Sequence, residues 1–157
     1  MESVRERLAA LGLALPKAAA PVANYVPFVR AGNLVVISGQ ICFGPDGTIA
    51  EAHTGKVGGA VSQEAGVAAA RLCALNVLAQ VEAAVGDLDR GVVQCLRLGG
   101  FINAAPGFSA VAGIMNGASD LMVQALGERG RHARSTVGVA ELPLDAAVEV
   151  EALFEVA

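Results

Sequence analysis

Three charged side chains near the C-terminus stand where they could do chemistry. Arg134 lies in Ala133-Arg134-Ser135-Thr136-Val137-Gly138-Val139, and Glu149 and Glu151 lie in Val148-Glu149-Val150-Glu151-Ala152. An arginine offers a planar fork of N–H donors that matches a carboxylate, and a nearby glutamate could hold a water or move a proton. Both segments alternate apolar and polar residues, the period of a half-buried strand. Ser135, Val137 and Val139 then share one face of the first strand, and Val148, Val150, Ala152 and Phe154 one face of the second. Pro143 and Asp145 supply turn chemistry between them, so the pair reads as a β-hairpin. If both valine faces look toward one core, Arg134, Thr136, Gly138, Glu149 and Glu151 share the opposite face. Two readings follow: an anion site with an acid–base group beside it, or a solvated sheet face whose ion pair contributes ~0–1 kcal/mol.

Other residues admit the same two kinds of reading. His132 would point the same way as Arg134 on a strand and could add a donor or a titrating group, or simply sit half exposed. Tyr25, the single tyrosine, is a ligand-lining candidate or a core residue with its hydroxyl at the surface. Gly39 could let backbone approach a ligand, or serve as a bend. Asn116, followed by Gly117, suits a helix cap or turn. Strand preference alone accounts for Thr136. Cys42, Cys73 and Cys95 lack CxxC spacing and read as small buried apolar residues, with neither a disulfide framework nor a metal site suggested. Neither GxGxxG nor GxxxxGK[ST] occurs.

These residues need elements to position them. Val4, Leu8 and Leu11 predict a helix over 3–13, followed by a proline-bearing connector over 14–22. Strands are expected at about 25–31 and 33–38, the second apolar without alternation and so covered on both faces. Ser62 caps a core helix that runs to Val85 and stops at Gly86. A third strand over 91–102 contains Gly99-Gly100 as a bend or bulge. A loop over 103–117 leads into a helix over 118–126, which Gly127 and Gly130 end ahead of the hairpin. The order ββαβαββ predicts an α+β layer with helices on one face of a mixed sheet, whose other face needs a partner.

With 157 residues the chain can form one domain with a sizeable core. Its apolar fraction of 54% exceeds the usual ~45–50%, but glycines, asparagines and Pro106 break the long uncharged stretch from Leu98, unlike a membrane helix. A net charge of −4 and no cluster of lysine or arginine argue against nucleic acid as a partner. The opening residues read as an amphipathic helix rather than a leader, which leaves a cytoplasmic location as the default expectation.

Ala133-Arg134-Ser135, the β-run to Val139, Leu142-Pro143 and Val148-Glu149-Val150-Glu151-Ala152 together resemble the signature of the Rid family, the reactive intermediate deaminases, also called YjgF-like or L-PSP endoribonuclease-like proteins. Tyr25-Val26 followed by Gly32-Asn33 through Ser38-Gly39-Gln40 is similar to the family's upstream segment. The resemblance covers residues 22–156 and leaves 1–20 as an N-terminal helical extension. It implies a chorismate-mutase-like homotrimer with ligand clefts between subunits, and no metal or organic cofactor. It further implies hydrolysis of enamine or imine intermediates of amino acids to 2-keto acids and ammonia. Arg134 would bind the substrate carboxylate and Glu149 would position water. Tyr25, Gly39, Asn116 and Thr136 would line the cleft. The chain departs from the pattern after Asn116, where Ala118, Ser119, Asp120 and Leu121 stand in place of an aromatic residue. A binding module for small carboxylates is the alternative of the same fold, and ribonuclease activity is a third.

Overall fold

Alternation builds the sheet, and the helices cover one side of it. The computed structural model describes residues 1–21 and 23–157; Val22, the end of the expected connector, lies outside the described residues. In chain order the elements are α1 (Val4–Ala10), β1 (Phe28–Ala31), β2 (Leu34–Ile41), α2 (Gln63–Val85), α3 (Leu88–Gly91), β3 (Val92–Asn103), α4 (Val111–Leu126), β4 (Ala133–Val139) and β5 (Val148–Val156). Apart from α1 and the single turn α3, this is the expected ββαβαββ order in an α+β layer.

The sheet runs β1-β2-β5-β3-β4, antiparallel throughout except for the parallel pair β3/β4. A parallel neighbour needs a crossover, and α4 supplies it. The expected hairpin is therefore absent: β3 lies between β4 and β5 and pairs with both. Alternation identified both strands, but it carries no information about the long-range partner.

α2 is capped as expected, with Ser62 Oγ accepting from Ala65 N–H and Gly86 closing the helix at φ 81°. Cys73 through Val81 are all buried, because the sheet covers one side of α2 and α4 another. By length and composition α2 could cross a membrane; here it is the central core helix.

Four expected boundaries shift for local reasons. α1 ends at Ala10, because Gly12 turns the chain at φ 72°. β1 starts only at Phe28, since Pro27 has no N–H to donate, which leaves Tyr25 in a bend. β2 extends to Ile41 through a register shift between Ile37 and Gln40. α4 starts at Val111, so most of the expected 103–117 loop is helix and Asn116 sits inside it rather than at a cap. Gly117 belongs there because α4 approaches α2 closely enough that a Cβ would overlap the Val67 carbonyl. Gly99 and Gly100 stay in register instead of bending the strand. Their missing side chains leave room for Glu151 on one face and Met115 on the other.

β2 is covered on one face only within a single chain. Val35 and Ile37 are buried, whereas Val36 is 51% exposed, beside Val29 on β1 at 54%; Val137 on β4 reaches 48%. The open face thus carries an apolar surface next to Glu149, Glu151 and Arg97.

Candidate functional site

β5 reads Val148-Glu149-Val150-Glu151-Ala152-Leu153-Phe154-Glu155-Val156, buried at every odd place of that run and half-buried at every even one. Glu149 therefore projects from the open face, opposite Ile41 of β2 and Phe101 of β3. Its carboxylate lies over Gly39, where any Cβ would overlap it. The glycine is thus a space requirement, not merely a bend.

Glu149, Gly39 and Tyr25 line one cavity of about 520 Å³, with Gln40, Ile41 and Phe43 from the β2 end. Pro143 and Leu144 of the β4–β5 connection and Ala19–Pro21 of the N-terminal connector complete the wall. Two buried polar side chains of α2 hold these walls in place. Asn76 Nδ2 donates to the carbonyls of Ile41 (3.1 Å) and Phe43 (3.0 Å), and Gln80 Nε2 donates to that of Ala19 (2.8 Å). Each satisfies its own buried amide while fixing a chain segment that lacks regular structure. Burial in this apolar enclosure, with the charge of Glu151 as a lesser cause, holds the Glu149 carboxyl above the ordinary glutamate range.

Arg134 lies elsewhere, which corrects the expectation that it shares a face with Glu149. In the parallel register Leu98 pairs with Arg134 and Gly100 with Thr136. Leu98 is core and Gly100 faces Met115, so Arg134 and Thr136 point toward the helices while Ser135 and Val137 point to the open face. The cause is the strand between: alternation gives two faces, but only the pairing with β3 decides which of them meets the core. Arg134 and Glu149 stand two strands apart and about three residues offset, roughly 14 Å between Cα atoms by strand geometry. The cation that does accompany the acids is Arg97, whose Nη1 is 3.4 Å from Glu151 Oε1. Its place in Leu96-Arg97-Leu98 carried the signal, since the neighbouring Leu98 is buried.

Around Arg134 a second polar group assembles against α4. Nη1 donates to Ser119 Oγ at 3.0 Å and Nη2 to the Ala112 carbonyl at 3.1 Å. No carboxylate pairs with Arg134 among the described residues. Asn116, exposed, falls on the helix stripe of Ala112 and Ser119, being four residues from one and three from the other. Thr136 Oγ1 is buried without a hydrogen-bond partner among the described residues. Of the candidate residues, Tyr25, Gly39 and Glu149 thus gather at one cavity, and Arg134, Thr136 and the Asn116 stripe at a separate cluster. One chain does not bring the two together.

Cys42 takes no part in either half. It is fully buried and its thiol donates to the His53 carbonyl at 3.7 Å. A second concavity of about 620 Å³, at the seam of α1 with α2, contains none of the expected site residues. It is lined by groups that pin α1, with the Arg5–Glu82 pair at 2.8 Å and Asp89 accepting from Val4 N–H at 3.0 Å.

Comparison with known proteins agrees with this architecture. The family profile described as "YjgF/chorismate mutase-like, putative endoribonuclease" matches residues 5–156, a span that includes most of α1. The chain is 47% identical over 153 residues to Protein TCP17 of Trypanosoma cruzi, covering 97% of this chain and 93% of that protein. Atu1372 of Agrobacterium tumefaciens, a crystal structure described as of unknown function, superposes with a TM-score of 0.91 at 45% identity, over 98% of this chain and 92% of that one. RidA from an Antarctic Psychrobacter superposes with a TM-score of 0.61 at 28% identity, over 88% and 94%. With the profile spanning nearly the whole chain and the sheet order, the Arg-Ser strand and the glutamate strand all in place, this protein belongs to the YjgF/Rid family.

Proposed function

We propose that this chain hydrolyses reactive enamine or imine intermediates of amino acids to 2-keto acids and ammonia, acting in the cytoplasm as a homotrimer. Written for the imine, R–C(=NH)–COO⁻ plus water gives R–C(=O)–COO⁻ plus NH₃. Water adds to the imine carbon, nitrogen gains protons, and the C–N bond breaks as the carbonyl forms. The observation that carries this reading is the half-buried Glu149 carboxyl in an apolar cavity. Its raised proton affinity suits a group that takes a proton from water and returns it to the leaving nitrogen. Arg134 holds the substrate carboxylate through the N–H groups that Ser119 and Ala112 leave free.

The separation of the two half-sites supports assembly across subunits, with the Arg134 edge of one copy meeting the Glu149 cavity of the next. The exposed Val29, Val36 and Val137 of the open face give such an assembly an apolar surface to bury. Sedimentation equilibrium is expected to give three chains of 15.8 kDa per particle.

The departure after Asn116, where Ala118, Ser119, Asp120 and Leu121 stand in place of an aromatic residue, favours one rival, a module that binds small carboxylates through Arg134 without turnover. A ribonuclease reading draws little support from a net charge of −4. One assay separates the first two. An amino-acid oxidase generates the imine in situ, semicarbazide traps it, and the protein is added as wild type or Arg134→Ala. Faster loss of trappable imine with the wild type alone is the expected result. Carboxylate binding without acceleration across several side chains would establish the binding module instead.

A further inference from the structure

Arg134 is the first member of a hydrogen-bonded series that runs through Ser119 and His132 to the Gly130 carbonyl. His132 Nδ1 lies 2.6 Å from the Gly130 carbonyl oxygen, which only accepts, so Nδ1 carries a hydrogen. In the neutral ring Nε2 is then a lone pair, and at 2.9 Å it accepts the Ser119 hydroxyl. With its own proton committed to His132, the Ser119 oxygen turns lone pairs toward Arg134 Nη1 at 3.0 Å. Donation therefore runs from Arg134 to Ser119, from Ser119 to His132, and from His132 to the Gly130 carbonyl. The far end is locked as well, because Gly130 packs on the Met122 backbone of α4 so closely that a Cβ would overlap the Met122 carbonyl.

We infer that Ser119 and His132 are positioning residues that fix the Arg134 guanidinium for a planar carboxylate; the inference rests on the carboxylate-binding reading of Arg134. Two of the five guanidinium N–H groups are used against α4, through Ser119 and the Ala112 carbonyl, and three remain for a ligand. Fixing the fork before the ligand arrives removes the rotamer freedom that binding would otherwise have to take from a long side chain. Neither residue touches the substrate; both act through Arg134. His132, two residues before Arg134, is held by α4 and the preceding turn rather than projecting freely to solvent.

The test compares Ser119→Ala, Ser119→Thr, His132→Leu and His132→Gln with wild type and Arg134→Ala in the imine-trapping assay, with KM and kcat resolved. Ser119→Ala and His132→Leu are expected to raise KM about tenfold with kcat within about twofold, because orientation of the carboxylate clamp is lost while Glu149 is untouched. Ser119→Thr keeps the hydroxyl and His132→Gln keeps an acceptor near the Nε2 position, so both should return KM to within about threefold of wild type. A KM unchanged in Ser119→Ala and His132→Leu, with Arg134→Ala strongly impaired, overturns the positioning role and leaves the carboxylate reading intact. If wild type accelerates no imine, pyruvate binding measured by calorimetry on the same variants replaces KM. Arg134-dependent binding that weakens in Ser119→Ala and recovers in Ser119→Thr upholds the inference without the deaminase. Binding indifferent to both Arg134 and Ser119 overturns the inference and the carboxylate reading together. Thermal melts identify any variant that fails to fold, and in that event the companion substitution at the other position decides.

Discussion

The two halves of the proposed site are held by different forces. Around Glu149 the walls are mostly apolar, and the carboxylate is placed by strand alternation and by the absence of a side chain at Gly39. Around Arg134 the constraint is polar, with three hydrogen bonds in series joining β4 to α4 and the turn before it. The contrast follows from the chemistry of each group. A carboxyl gains proton affinity when water is removed, so enclosure alone prepares Glu149 to exchange a proton. A guanidinium does not deprotonate, so burial does nothing useful for it and orientation is what the fold can supply.

The largest expected effect comes from deleting the oriented half. Arg134→Ala should lower kcat/KM for imine hydrolysis by about 10²-fold or more, since a charge-assisted, two-pronged contact is lost. The melting temperature should fall by only about 2–4 °C, because the hydrogen bonds to Ser119 and the Ala112 carbonyl are lost at a net cost of ~1 kcal/mol while no ion pair among the described residues is broken. Arg134→Lys should recover little of the activity, because an ammonium lacks the fork. Near-complete recovery in the lysine variant would mean that charge alone matters and would dissolve the contrast between the halves.

Glu149→Gln should lower kcat by about 10–10²-fold, toward the low end of general acid–base contributions because imines hydrolyse readily without help. Its effect on stability should have the opposite sign. The folded-state affinity of Glu149 for a proton is raised by burial. Between the unfolded and folded values the native state binds more protons, so stability from this group is fully present below the ordinary glutamate range and is lost as pH rises through the folded value. Glutamine does not ionise, so the variant should melt higher than wild type at neutral pH, and the gap should close on acidification. Melting curves over a pH series check this, and a variant that melts lower at pH 7 would show that the carboxylate is stabilising where it sits.

The contrast also explains how much could be read from the residues. The glutamate half was legible: the alternation of β5 put Glu149 and Glu151 on one face, and Ser62 and Gly86 marked the ends of α2. The arginine half was not, because its geometry depends on contacts distant in sequence. Ser135 and Val137 alternate with Arg134 and Thr136 whichever face meets the core, and only the parallel pairing with β3 sets the answer. α4 was hidden in part because Pro106, Gly107, Gly113 and Gly117 resemble a loop. Burial of Ile114, Met115 and Ala118 outweighs the glycines' poor helix propensity, and Gly117 is needed for the close approach to α2. Ser119 stood out only as the absence of an aromatic, and nothing local linked it to His132.

Gly39→Ala tests the glutamate half with a smaller change. A methyl group at this position would occupy the space of the Glu149 carboxylate, which sits at the end of a flexible side chain and can move aside. The expected result is a fall of about tenfold in kcat/KM with the arginine half intact, as misplacement of a reacting group produces. Carboxylate binding, measured separately, should change by less than about threefold. Equal losses in both would mean that the two halves are coupled more tightly than their separation in one chain suggests.

The smallest effects are expected in the turn beside the cavity, where Leu144, which lines it, and the next residue Asp145 adopt left-handed backbone at φ 56° and 55°. Their substitutions should differ in sign. Asp145 Oδ1 accepts from the fully buried Asn103 Nδ2 at 3.0 Å, so Asp145→Gly relaxes the backbone but removes a partner, with a net loss of about 1 kcal/mol. Leu144 is 69% exposed, so Leu144→Gly forfeits little burial and removes the clash a Cβ meets in this conformation. Set against the greater freedom of glycine in the unfolded chain, the net gain should be about 0.5 kcal/mol, or about 1–2 °C in melting temperature. The leucine is then held in an unfavourable conformation that its own packing does not repay, at the mouth of the Glu149 cavity, where it can contact a bound side chain. A measured destabilisation in Leu144→Gly would instead assign Leu144 to the packing of the fold.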